Sequence, residues 1–335
     1  MKVNVNDLQK MVAKGVRQLG YTGEDAQIII DTLLYAEMRG NNQGIVKIAT
    51  GGIPRAEDLE PFRVVKENKC GVLLSGGHSM VTTAKATDKA VALAEQHGVG
   101  VVCTNHTHTS SGAVGYFARR ISRAGYICFM TVGNGSFAAV APVGSAEPKL
   151  GTNPLAYAFP YDGGEVVFDN ATAAIAFFGV VEARLKGEQL PEGVAVNAEG
   201  DPTTNPNEVM KNGKGENVGG AIKPFAGHKG YGLSLFVQLM GSAFSLAGVA
   251  GANEEDGAGT FILAIDPGLF AGKAEYMKRA RQMVDQIKSA KPIAGQEVVM
   301  PSECGDRRAK KAEESGEIEI ADGVWNELCR FVGES

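Results

Sequence analysis

Near the N-terminus, apolar positions recur at the three- and four-residue spacing of helices. Leu8, Met11, Val12, Val16 and Leu19 share one face, with Asn6 as the expected cap and Gly20 as the stop. Thr22 opens a second run through Ala26, Ile29, Ile30, Leu33 and Leu34. A polar loop, Arg39-Gly-Asn-Asn-Gln-Gly44, leads into Ile45-Val-Lys-Ile48. Short β-type runs then predict strands at Arg63–Lys66 and Val72–Ser75. Helix Thr82–Gln96, strand Val99–Cys103, helix Ala113–Ala124 and strand Tyr126–Val132 follow in a β/α rhythm. Strands at Leu155–Phe159 and Glu165–Phe168 precede a helix expected from Thr172 to about Lys186. Asn197–Gly220 is polar and turn-rich and reads as a long surface loop. Helix Leu233–Leu246, strand Thr260–Ile265, helix Lys273–Ser289, strand Gln296–Met300, a charged helix near Gly305–Ser315 and a closing helix around Trp325 complete the pattern. It predicts an α/β body with a mixed sheet over 61–284, with mainly helical terminal segments, 1–60 and 285–335, packed on it.

Composition narrows the class. The chain has 335 residues, 44% hydrophobic and 21% charged, ample for a sizeable core in a soluble protein. A net charge of −5 argues against a nucleic-acid or anionic-membrane partner. No window is apolar for the length of a membrane span, and MKVNVNDLQK lacks a signal-peptide core. Five cysteines, Cys70, Cys103, Cys128, Cys304 and Cys329, are scattered without CxxC spacing and read as reduced thiols of a cytoplasmic protein. Glycine accounts for 44 of the residues, nearly twice the usual share of about 7%. These glycines fall singly, so they mark many tight bends.

The densest cluster of bends is Thr131–Pro154, TVGNGSFAAVAPVGSAEPKLGTNP. Its glycines and prolines expose backbone N–H groups that a ligand can approach closely, although a structural meander would have the same composition. Phe168-Asp169-Asn170-Ala171-Thr172 joins an expected strand to an expected helix. Asp, Asn and Thr cap helices routinely, and free N–H groups at a helix start also bind phosphate. In Gly227-His228-Lys229-Gly230-Tyr231-Gly232 a cation stands between glycines, where it can act as a point charge for an anion or be a solvated side chain. No G-x-G-x-x-G opens a helix after a strand, no Walker-type loop occurs, and no HExxH or paired Cys/His spacing suggests a metal.

In this order and at these separations the three segments resemble the malate/L-lactate dehydrogenase family, whose dinucleotide fold is not of Rossmann type. The resemblance spans nearly the whole chain. It implies an NAD(P)-dependent oxidoreductase passing hydride between nicotinamide and a small 2-oxo/2-hydroxy acid or cyclic imine carboxylate. NAD and NADP are left undecided. It also implies a homodimer whose active site lies at the subunit interface. Carried over residue by residue, Asn134, Ser136, Pro142, Gly144, Thr152, Asn153, Asp169, Asn170, Ala171, Thr172, His228 and Lys229 become cofactor residues. Ser302 and Glu303 join them through Pro301-Ser302-Glu303, which is similar to a PGE-like family segment.

One departure concerns the proton. The family carries Ser-His-Gly after the second helix and an arginine beyond; here Asn42-Gln43-Gly44 and Lys47 occupy those places. A second family histidine falls on Ser110, before Gly112-Ala-Val-Gly115-Tyr116. Gln43 can hydrogen-bond a carbonyl but is no acid. His106 and His108 lie at a strand end before a helix, a common place for active-site groups, so either is a candidate donor or an ordinary loop histidine. The resemblance then implies that Lys47, with Arg39, holds the substrate carboxylate. Gln43 would orient the reacting oxygen or nitrogen, Asn42 would bind substrate, and Ser110 and Ser111 would line the pocket. With both family histidines replaced, a nucleotide-binding sensor or scaffold without turnover is the alternative.

Overall fold

Asn4, not Asn6, starts the first helix. Its side chain accepts the Asn6 N–H at 2.9 Å, so α1 (Val5–Gln18) follows directly on a short strand, β1 (Lys2–Asn4). The computed structural model describes residues 1–49, 51–108, 110–135, 138–210, 218–252 and 257–334. Next come α2 (Gly23–Met38), opening after Thr22 as expected, and the single turn α3 (Val46–Ala49). The α/β body begins with β2 (Arg63–Glu67), β3 (Gly71–Ser75), α4 (Ser79–His97), β4 (Val99–Thr107), α5 (Val114–Arg123) and β5 (Ile127–Asn134). It continues through β6 (Pro154–Tyr161), β7 (Gly164–Ala171) and α6 (Phe177–Lys186).

Two-residue strands β8 (Ala195–Val196), β9 (Pro202–Thr203) and β10 (Ala221–Ile222) form a small sheet; β9 lies within the expected loop Asn197–Gly220, and β8 and β10 flank it. Then follow α7 (His228–Gln238), prolonged by a π-helical turn over Leu239–Phe244, and β11 (Ala258–Ile265). The chain closes with α8 (Gly268–Ala271), α9 (Lys273–Lys288), α10 (Glu303–Ser315), β12 (Glu317–Glu319) and α11 (Asp322–Val332).

The main sheet is mixed, in the order β2-β3-β4-β11-β5-β6-β7. Only β3 and β4 run parallel; the other neighbours are antiparallel. One hydrophobic core joins this sheet to the terminal helices, with Leu8, Ile29, Leu33, Met80, Phe117, Ile121, Met130 and Ile262 inaccessible to solvent. A second core, around Val140, Val180, Met210 and Ile222, lies beneath the small sheet. The antiparallel pair β1–β12 ties the two ends of the described chain together.

Several boundaries move for identifiable reasons. α4 begins at Ser79 because His78 acts as its cap, Nδ1 accepting the Met80 N–H at 3.2 Å. β4 continues to Thr107 because β11 pairs with it that far. β7 runs on through Ala171, paired with Pro154, so Asp169-Asn170-Ala171 is strand and Thr172 opens no helix. α6 starts five residues later, at Phe177. α7 begins at His228, where Gly227 turns with a φ of +62°. Gln296–Met300 is no strand; it pairs with none of the described strands.

Candidate active site

A cavity of about 1280 Å³ opens between the end of α2 with its following loop on one side and the ends of β5 and β7 on the other. The segments 173–178 and 301–305 complete it. It is larger than the ~300–1,000 Å³ of a typical single-ligand pocket. Arg39, Asn42, Gln43, Ser110 and Ser111 line one side; Asn134, Thr152, Asn153, Asp169, Asn170, Ala171 and Ser302 also face it. The fold thus gathers residues more than two hundred positions apart into one surface.

Other sequence-derived candidates lie elsewhere. Thr172 is buried, its hydroxyl donating to the Asn153 carbonyl at 2.9 Å. His228 and Lys229 are exposed in the first turn of α7, away from the cavity lining. Gly144 borders a separate shallow depression, and Pro142 lines neither hollow. Glu303 accepts hydrogen bonds from Lys288 at 2.5 Å, Arg307 at 3.1 Å and the Met300 N–H at 2.8 Å. Ser136 lies outside the described residues.

Neither His106 nor His108 lines the cavity. His106 sits at a φ of +47° in β4, where the pairing with β11 shifts register. The backbone of His108 is bound to the start of α4: its carbonyl accepts from Ser79 Oγ at 3.0 Å.

Lys47 is fully buried behind the cavity wall and hydrogen-bonds to it at Ser110, Nζ to Oγ at 2.5 Å. The Phe178 ring lies 4.0 Å from Nζ. Desolvation pulls the Lys47 ammonium down to about 7. His78 is buried nearby, and desolvation together with the Lys47 charge pushes its imidazole down to about 3. With Nδ1 accepting from Met80, the neutral ring carries its hydrogen on Nε2, which has no hydrogen-bond partner among the described residues. Around this group the loop is latched: Glu37 accepts the Ile45 N–H at 2.9 Å. A β-carbon at residue 44 would stand 2.1 Å from that carboxylate, which explains Gly44. Burial raises Glu37 to about 7, against the Ile45 hydrogen bond.

Arg39 is held differently. Its guanidinium lies 3.8 Å from the Tyr35 ring centroid and donates to Asp306 Oδ1 at 2.9 Å. Arg119 of α5 binds both Asp306 oxygens, at 2.6 and 2.8 Å, and Ser302 Oγ at 2.8 Å. The two arginines hold Asp306 down to about 2, overcoming its partial desolvation. Arg39 therefore reaches the cavity with part of its charge already matched.

Asp169 meets a helix start, though not the expected one. Its Oδ2 accepts the Gly115 N–H of α5 at 2.7 Å. Burial nevertheless raises its carboxyl to about 6, with that hydrogen bond opposing. Sequence reasoning missed Tyr35, Arg119, Asp306 and Phe178. Tyr35 stands four residues before Arg39, so their stacking was legible from helix spacing. The partners from α5, α6 and α10 carried no local signal.

The donor set suits a dinucleotide beside a small acid. Amide and hydroxyl side chains at Asn134, Thr152, Asn170 and Ser302 alternate with small residues at Ala171, Ala173 and Ala174, and the volume admits two ligands at once. The chain belongs to the malate/L-lactate dehydrogenase family, whose sequence profile matches residues 3–329. It is 31% identical to L-sulfolactate dehydrogenase of Methanocaldococcus jannaschii over 97% of this chain and 95% of that protein. The solved structure of sulfolactate dehydrogenase from that organism superposes with a TM-score of 0.81 at 30% identity, covering 100% of this chain and 98% of the other. Ureidoglycolate dehydrogenase (NAD(+)) of Escherichia coli K12 is 30% identical over 98% of this chain and 95% of that protein. A Δ1-pyrroline-2-carboxylate/Δ1-piperideine-2-carboxylate reductase of Pseudomonas putida is 32% identical over 72% of this chain and 69% of its own length. The relatives are dehydrogenases and reductases, and nothing in them supports a binder without turnover.

Proposed function

We propose that this chain is an NAD(P)-dependent oxidoreductase that passes hydride between nicotinamide and the carbon next to a carboxylate. Its substrate is a small 2-oxo/2-hydroxy acid or a cyclic imine carboxylate. The observation that carries this reading is the large cavity described above. Amide and hydroxyl side chains of Asn134, Thr152, Asn153 and Asn170 line it together with Arg39, Gln43 and Ser110. Asn134, Thr152, Asn153 and the β7 end Asp169-Asn170-Ala171 would hold the dinucleotide, which supplies the hydride when bound. Arg39 offers the cation for the carboxylate, and Gln43 an amide donor for the reacting oxygen or nitrogen.

We further propose a homodimer. α7 and its π-helical turn expose Leu235, Phe236, Leu239 and Phe244, and Leu246 just after the turn is exposed at 67% of its full accessibility, together an apolar face of the kind that a second copy covers. Among the described residues no helix is long and apolar enough to cross a membrane. A cytoplasmic setting agrees with five free cysteines. The terminal segments 1–60 and 285–335 are read as packing on the 61–284 body.

The test is oxidation of NADH and of NADPH, followed by the loss of reduced-nicotinamide absorbance, against a panel of 2-oxo acids and cyclic ketimine carboxylates. Turnover with one class is expected. Nucleotide binding without turnover across the whole panel would return the sensor reading.

A further inference from the structure

We propose that Ser110 and Lys47 form the proton relay of this reaction, Ser110 giving the proton to the substrate and Lys47 restoring it; the proposal rests on the dehydrogenase reading above. The geometry at Ser110 is directional. Its Oγ accepts from Lys47 Nζ at 2.5 Å and from the Gly112 N–H at 3.1 Å. A hydroxyl has two acceptor positions and one hydrogen. With both acceptor positions taken, the hydrogen is left for a further partner, and Ser110 lines the cavity. It is thus set to donate to a ligand oxygen or nitrogen.

Behind it Lys47 is sealed from solvent. No carboxylate pairs with it among the described residues. The groups packed on it from other elements are Ser110, the Phe178 ring of α6 and, as the titratable neighbour, His78 at the start of α4. An ammonium stripped of water and counter-ion gives up its proton near neutrality, as a general acid must. His78 offers no competing route, since its Nδ1 is committed to Met80 and burial suppresses its protonation. Lys47 thereby acts through Ser110 rather than by gripping the carboxylate, because its Nζ does not reach the cavity surface.

The step balances. The hydride and its two electrons come from the reduced nicotinamide, which is oxidised. As the carbonyl carbon gains hydride, the C=O π pair moves to oxygen, and that oxygen takes the Ser110 hydroxyl hydrogen. The Ser110 oxygen in turn takes a proton from Lys47, whose ammonium becomes an amine; after product leaves, water in the cavity returns a proton to Lys47 through the Ser110 hydroxyl. Alcohol oxidation runs the same transfers backwards.

Two measurements on the full-length protein test this. With whichever panel substrate the wild type turns over, Ser110→Ala and Lys47→Arg should lower kcat by about 10²–10⁴-fold, the usual reach of general acid–base catalysis. KM should change much less, and Ser110→Thr should recover most of the rate. Arginine keeps charge and hydrogen bonding but cannot release the proton, so an active Lys47→Arg protein would overturn the relay. The second measurement needs no turnover: the ¹⁵N-labelled Lys47 side-chain resonance, assigned by its loss in Lys47→Arg, is titrated by NMR in the unliganded protein. Titration near neutrality supports the relay, whereas an ordinary lysine value of about 10.4 overturns it. A wild type inactive on the whole panel sinks the dehydrogenase reading, while the titration still judges the Ser110–Lys47 pair.

Discussion

Two cationic clusters face the same cavity and are built on opposite principles. Around Asp306, Arg39 just after α2 and Arg119 of α5 share one carboxylate, with Tyr35 against Arg39, Ser302 bonded to Arg119, and Glu165 3.2 Å from Arg119 Nε. Around Lys47, a cation is buried against an aromatic ring and a hydroxyl with no counter-ion among the described residues. The first is what a charge network needs in order to stabilise a fold, because each charge is hydrogen-bonded as well as paired. The second costs stability, and such costs concentrate where a group's titration is put to use. The contrast separates scaffold from chemistry within one wall.

The largest effect should come from breaking the paired cluster. Asp306→Asn leaves Arg39 and Arg119 without their shared carboxylate, and a loss of about 3 kcal/mol in denaturant unfolding is expected, the low end for a broken pair because the Asp306 side chain is 39% exposed and partly screened by solvent. The sign with pH follows from the depressed carboxyl. Asp306 contributes its full share above its ordinary value of 3.8 and loses it as pH falls through about 2. The Asn protein should lack that acid-dependent part.

The unpaired cluster should respond in the opposite direction. Lys47 titrates at about 7 folded against 10.5 unfolded, so its cost is full below pH 7 and fades as pH rises to 10.5. Lys47→Met should therefore stabilise the protein at pH 7 and below, by roughly 2–4 kcal/mol after the lost Ser110 hydrogen bond is allowed for. Thermal melts at pH 7 and pH 10 would show a gain at the first and little at the second. A destabilised Met variant at pH 7 would erase the contrast.

Asp169 gives the smallest change. Its carboxyl ionises at about 6 in the fold against an ordinary 3.8, so stability falls as pH rises between these values. Asp169→Asn keeps an acceptor for Gly115 and should gain about 1 kcal/mol at pH 8 and nothing below pH 4. Nucleotide affinity, measured by calorimetry, should weaken in the same protein.

Much of this was legible in the chain. The β/α rhythm from Thr82 to Val132, the family and part of the cavity lining follow from periodicity and from motifs with fixed spacing. Failures came where a residue's partner is remote. His78 caps α4, although histidine is not among the usual capping residues. Asp169 looked like the opening of the next helix, but pairing with β6 keeps it in a strand and turns its carboxylate to another helix. Lys47 and Ser110 were each singled out, yet their 2.5 Å contact joins positions 63 residues apart and exists only once α3 packs against the 110–112 loop. Side-chain chemistry could be read locally; which groups share a proton could not.

The bond between Asp169 and Gly115 also bears on how the chain folds. α5 has no capping side chain of its own, since Ala113 holds the cap position, and the acceptor arrives from β7, 54 residues later. With no local side-chain acceptor for the Gly115 N–H, this bond forms only once β7 stands beside α5. Its loop closure precedes its reward, so Asp169→Ala is expected to speed unfolding more than it slows folding, which stopped-flow kinetics would check.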